Sequence, residues 1–128
     1  MTTFTSPFTG NVIQPTDVSY EAIALSGTVQ LYWPQYVNDA GQQVSARIID
    51  VVSAVGGILK LPNAQQASVG EDILIRNQGS NTFTVSRSDG TGSFSVPAGQ
   101  SYYTYLTDNT TAVGVWQTVA FGLGTSYA

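Results

Sequence analysis

The 128-residue sequence has no cysteine, no histidine and only four basic side chains, Arg47, Lys60, Arg76 and Arg87. The first two absences together remove disulfides, thiol catalysis, zinc fingers, His-based metal sites and every Ser-His or Cys-His nucleophile. The four cations are far apart in sequence and the net charge is −4. No phosphate-tracking patch is visible, so nucleic acid is not an expected partner. Charged residues make up 9% of the chain, against about 25% in average proteins. Solubility must rest on Ser, Thr, Asn and Gln, and such a surface is easily dehydrated, which suits assembly. No apolar run approaches the ~20 residues of a membrane span, and residues 1–10 have neither a basic leader nor an apolar h-region. A membrane is therefore not expected as a partner, and synthesis in the cytoplasm is.

What is present argues for a packed core. Hydrophobic residues are 42% of the chain, with seven Tyr, five Phe and two Trp, too many for a disordered segment. The length suits one domain able to bury about two-thirds of its unfolded surface without staples. From Gly57 to Val119, short runs of β-branched and aromatic residues alternate with clusters of Gly, Pro, Asn, Asp and Ser, the pattern of consecutive antiparallel strands. Residues 73–77 and 82–88 are separated by Gln78-Gly79-Ser80-Asn81, a connector of hairpin length. Ser88 to Gly92 turns into 93–96, Pro97 to Gln100 interrupts pairing, and Asp108 to Thr111 reverses the chain between strands at 101–107 and 112–121.

Earlier in the chain, 11–14, 18–25, 28–33, 47–55 and 58–61 read as strands. Helix competes at 18–25 and at RIIDVVSAV, but β-branched density favours strand, the second buried on both sides. Asn63 can cap a single helical turn ended by Gly70. No period of 20 to 50 residues recurs, which argues against a solenoid. The expected fold is all-β: an antiparallel β-sandwich or jelly-roll-like domain over residues 11–121, with a flexible N-terminal arm at 1–10 and a C-terminal extension at 122–128.

Alternation divides the last strand into a face with Val113, Val115, Val119 and Phe121 and a face with Ala112, Trp116 and Thr118. Both faces want cover, and on the preceding strand Tyr102 opposes Tyr103 and Tyr105. Phe4 and Phe8 are the only sizeable apolar groups of the arm. Phe4, Phe8, Tyr102, Tyr103, Tyr105 and Trp116 are therefore the candidate interface residues, since aromatics dominate interface cores from which charge is depleted.

Reactive chemistry is weakly signalled. Gly90-Thr91-Gly92 and Gly122-Leu123-Gly124 lack the continuation of a P-loop or a dinucleotide fingerprint. Glu71 and Asp72 are adjacent and diverge on a strand, while Asp89 and Asp108 sit where turn chemistry wants Asp. No loop of EF-hand spacing occurs, and Asn109-Thr110-Thr111 reads as a polar turn. The expectation is no enzyme, no cofactor and no metal. A carbohydrate-binding module, with Trp33, Tyr102, Tyr103, Tyr105 or Trp116 stacking on sugar rings, is the alternative that uses the aromatics.

The succession LPNA, VGEDILIRNQG, TVSRSDG, VPAGQSYYTYLTDNTT and GVWQTVAFGLGTS, about half of the chain, resembles a segment of tail fibres and other structural proteins of tailed bacteriophages. The resemblance implies a virion protein, most simply the N-terminal attachment domain of a tail fibre. Such a domain docks on a tail adaptor or nozzle, supports host adsorption and leads into further fibre sequence. It also implies a homotrimer, since such fibres are commonly three-fold. A capsid decoration protein bound to the capsid protein is the alternative within the same class, its arm reaching across the shell.

Overall fold

The computed structural model describes residues 4–5, 12–13, 19–39, 41–54 and 56–122. Among the described residues there are twelve strands: β1 (Phe4–Thr5), β2 (Val12–Ile13), β3 (Tyr20–Leu25), β4 (Thr28–Tyr32), β5 (Gln43–Val44), β6 (Ile48–Ser53), β7 (Ile58–Lys60), β8 (Asp72–Asn77), β9 (Phe83–Ser86), β10 (Phe94–Val96), β11 (Ser101–Asp108) and β12 (Val115–Ala120). The only helical pieces among the described residues, Ser19 apart, are single 3-10 turns at Pro34–Tyr36 and Ala64–Gln66. Asn63 caps the latter by accepting from the Gln65 amide at 2.9 Å.

β1 and β2 form a two-residue antiparallel ladder. The other ten strands make two five-stranded sheets, ordered β12-β11-β8-β6-β3 and β10-β9-β7-β4-β5. Both sheets are mixed. β3, β6 and β8 run parallel to one another, and so do β4, β7 and β9. The antiparallel sandwich or jelly roll expected from the sequence is therefore wrong.

The chain instead coils. Three times it places a strand in the first sheet (β3, β6, β8), rounds a corner and places one in the second (β4, β7, β9), the first passage also adding the short β5 parallel beside β4. Tyr20 lies beside Ile48 and Ile48 beside Leu74, while Thr28 lies beside Ile58 and Ile58 beside Thr84. Successive turns are thus offset by 26 to 30 residues, a short solenoid that the sequence reading rejected. The connector 78–82 is the corner of an arch between sheets and joins no hairpin. After β9 the winding reverses: β10 folds back antiparallel on β9, and β11 and β12 add antiparallel beside β8. Those two terminal hairpins are where the turns at 88–92 and 108–111 were expected.

The core lies between the sheets. Val29, Leu59, Val85 and Phe94 stand side by side across the second sheet. They face Ile23, Ile49, Val51, Ile73 and Ile75 of the first. Each fully buried Leu, Ile or Phe contributes roughly 1.5–3 kcal/mol relative to exposure. Corners are tied by side chains. Asn77, buried at the end of β8, donates from Nδ2 to the carbonyls of Asn81 (2.8 Å) and Val96 (2.9 Å), and its Oδ1 accepts from the Gly79 amide (2.9 Å). Asn81 donates to the Ser53 and Ala54 carbonyls of the preceding corner at 2.9 and 2.8 Å. Gly99 takes the left-handed conformation (φ 76) that the break after Pro97 requires.

Candidate docking surface

The strand β6 was expected to be buried on both sides, and the structure corrects this. Its Ile49, Val51 and Ser53 point into the core, whereas Ile48 and Val52 are 43% and 52% exposed. The other strands of the first sheet share this division, because side chains alternate across a strand. One outward row runs across all five: Tyr20 on β3, Ile48 on β6, Leu74 on β8, Tyr103 on β11 and Val119 on β12 are cross-strand neighbours in sequence of sheet order. Tyr20 is 43% exposed, Val119 46% and the adjoining Phe121 47%. A depression of about 410 Å³ opens here, lined by Ser19, Arg47, Ile48, Asp72, Leu74, Tyr103 and Phe121.

Charge on this face is compensated internally. Arg76 meets Asp50 at 3.0 Å and the Tyr20 hydroxyl donates to the same carboxylate at 2.8 Å. On the other side of the row Arg47 meets Asp72 at 3.0 Å, and Asp72 also accepts from the Tyr103 hydroxyl. The Arg47 hydrogen bond, seconded by Tyr103, holds the Asp72 carboxyl below the ordinary aspartate range, while Asp72 pushes the Tyr103 hydroxyl up and Asp50 does the same for Tyr20. The result is an apolar row flanked by two Arg-Asp-Tyr sets of zero net charge. Tyrosine and arginine are the residues enriched where proteins meet.

The six sequence candidates separate. Tyr103 and Tyr105 lie on the outward face, with ring centroids 5.8 Å apart and planes tilted by 36°. Tyr102 points inward and stacks on Phe94 at 5.2 Å. Trp116 also points inward, stacked on the buried Trp33 at 6.4 Å, so the half-buried indole packs against the core and the Val115, Val119 and Phe121 side of β12 is the outward one. The Trp33 Nε1–H donates to the Asn63 carbonyl at 2.7 Å, whereas the buried Trp116 Nε1–H has no partner. Phe8 lies outside the described residues, and of Phe4 only the backbone is described.

Among the described residues Trp33, Trp116 and Tyr102 face the interior, and the outward Tyr103 and Tyr105 are tilted and not coplanar. The two Arg-Asp-Tyr sets were missed by the sequence reading. Their signal was Asp50, a lone acid in an apolar run whose parity with Ile48 and Val52 puts it on the solvent side. Among the described residues no three acidic side chains are grouped to hold a metal ion. Asp89 and Asp108 accept from the amides of Thr91 (3.0 Å) and Thr110 (2.8 Å), closing local turns. No protein family, curated protein or solved structure matches this chain.

Proposed function

We propose that this chain is a structural protein of a tailed-bacteriophage virion, with the build of a tail-fibre attachment domain that docks on the tail and supports host adsorption. The virion assignment rests on the resemblance of residues 61–126. The observation that carries a docking role is the uncovered row Tyr20, Ile48, Leu74, Tyr103 and Val119, with its charges cancelled in place. An apolar, neutral sheet face can be desolvated against another protein without stranding a charge. The row recruits other virion proteins, and the Trp116 side of β12 supplies core.

The test is incorporation. Particles assembled with wild-type chain, or with Ile48→Lys or Leu74→Lys on the outward row, are purified and their protein content measured by mass spectrometry. Both substitutions keep the alternation of buried residues, and circular dichroism checks that they fold. Wild-type chain in the particle and at least tenfold less of either folded variant is the expected result. Equal incorporation of both variants refutes the docking role of this face, and absence of the wild-type chain from particles refutes the virion assignment.

A further inference from the structure

We propose that two copies of this chain join edge to edge through β12, giving one continuous ten-stranded sheet about a two-fold axis at Thr118. The inference is independent of whether the protein belongs to a virion. β12 is the outermost strand of its sheet. The Phe121 amide donates to the Ser101 carbonyl at 3.1 Å, which sets the phase of the antiparallel ladder: Val119 with Tyr103 and Gln117 with Tyr105 are the hydrogen-bonded pairs. The Gln117 and Val115 carbonyls also accept from Thr104 and Thr107 of β11, as that phase requires. The N–H and C=O groups of Trp116, Thr118 and Ala120 therefore point away from β11, and nothing among the described residues pairs with them.

Edges of this kind are ordinarily blunted by lysine, proline, a bulge or short length. β12 has none of these. It is six residues long, reads VWQTVA, and no charged residue follows Asp108 anywhere in the sequence. The bulge of this hairpin lies on β11, between Leu106 and Asp108. The corresponding edge of the second sheet, β10, is three residues long and stops at Pro97.

The occupant that fits is a second β12. Antiparallel pairing centred on Thr118 sets Trp116 opposite Ala120 of the other copy, Gln117 opposite Val119 and Val115 opposite Phe121. The largest inward side chain thus meets the smallest, and on the other face Val115 meets Phe121 while Val119 meets the uncharged Gln117. The outward-pointing groups of Trp116, Thr118 and Ala120 fall on hydrogen-bonded positions, so the ladder closes with both copies' donors used. A strand carrying charge would have to bring its own compensation, because this edge offers none.

Sedimentation velocity of the full chain over micromolar concentrations reads the association, and Gln117→Cys, the sole thiol in a cysteine-free protein, carries a nitroxide to read the register. In this register the two labelled residues sit on adjacent strands two positions apart, so their Cα atoms are separated by roughly 8 Å from the strand spacing and rise. A dimer with strong dipolar broadening is expected. Thr118→Pro removes an outward donor without touching the β11 ladder, and Gln117→Lys puts charge on the edge. Each should weaken the dimer at least tenfold with an unchanged circular dichroism spectrum. A monomer throughout the concentration range overturns the proposal. So does a trimer or other oligomer with unbroadened labels, or an association that folded Gln117→Lys leaves intact.

Discussion

Asn77→Ala should be among the most destabilising polar substitutions in the molecule, and the reason is topological. Asn77 is 1% exposed and its carboxamide makes three hydrogen bonds, to the Asn81 and Val96 carbonyls and from the Gly79 amide. They tie the corner after β8 both to itself and to β10 in the opposite sheet. Truncation strands three polar groups, the Val96 carbonyl in a fully buried setting. At about 1 kcal/mol for each lost bond, the cost is about 3 kcal/mol. A 128-residue chain unfolds with an entropy of about 0.27 kcal/mol/K near 60 °C, so the melting midpoint should fall by about 10 °C. Calorimetry or thermal circular dichroism reads this directly. Were β8 and β9 the arms of a hairpin, Asn77 would flank a solvated turn and its loss would cost a few tenths of a kcal/mol. A drop below about 3 °C, equivalent to under 1 kcal/mol, would refute the arch reasoning.

Gly57→Ala places a methyl group 2.6 Å from Leu25 Cγ and 2.8 Å from the Gly27 carbonyl at stacked corners; a loss of about 2 kcal/mol in chemical denaturation is expected from such overpacking. Trp33→Phe and Trp116→Phe remove the same volume, but only the first breaks a hydrogen bond, to the Asn63 carbonyl. The first should therefore be the more destabilising by about 1 kcal/mol, and an equal or reversed order would contradict the assignment. Asp72, Asp89 and Asp108 all titrate below the ordinary aspartate value in the folded state, held there chiefly by Arg47, Thr91 and Thr110 respectively. Their stabilisation is complete above the unfolded-state value of about 4 and is lost as pH falls through the lower folded values. Thermal midpoints should be flat from about pH 7 to 5, fall on acidification below about 4, and fall less steeply in Asp72→Asn; a midpoint that rises on acidification contradicts this. Tyr20 and Tyr103 are raised by their aspartates, so their contribution is complete below about 10 and is lost as pH rises through the higher folded values.

Strand positions were legible because an inward and outward alternation of period two looks the same whatever the strand pairs with. Partners were not. A four-residue connector such as Gln78 to Asn81 has the chemistry of a hairpin turn, and nothing local shows that the strands on either side rotate to face each other across a core. The coil was hidden because its equivalent positions carry different residues: Val51 lies beside Ile23 on one side and Asn77 on the other, and Leu25 beside Ser53. The return segments, 33–47 and 61–71, also differ in length and content. For the site, parity correctly separated Tyr102 from Tyr103 and Tyr105, and Trp116 from Val115 and Val119. Which face looks inward was not encoded there. It is decided by the Trp33 ring that Trp116 stacks on, a contact between residues 83 positions apart.

The parallel coil is tested most directly by disulfide formation between β3 and β6 in this cysteine-free chain. Tyr20, Ala24, Ile48 and Val52 all share the outward side of the first sheet, with Ala24 beside Val52 and Tyr20 beside Ile48. Ala24→Cys with Val52→Cys should oxidise rapidly to an intramolecular disulfide in the folded protein, and Tyr20→Cys with Val52→Cys should not. Rapid closure of the 20–52 pair with the 24–52 pair left open is the antiparallel result, and it would contradict the account.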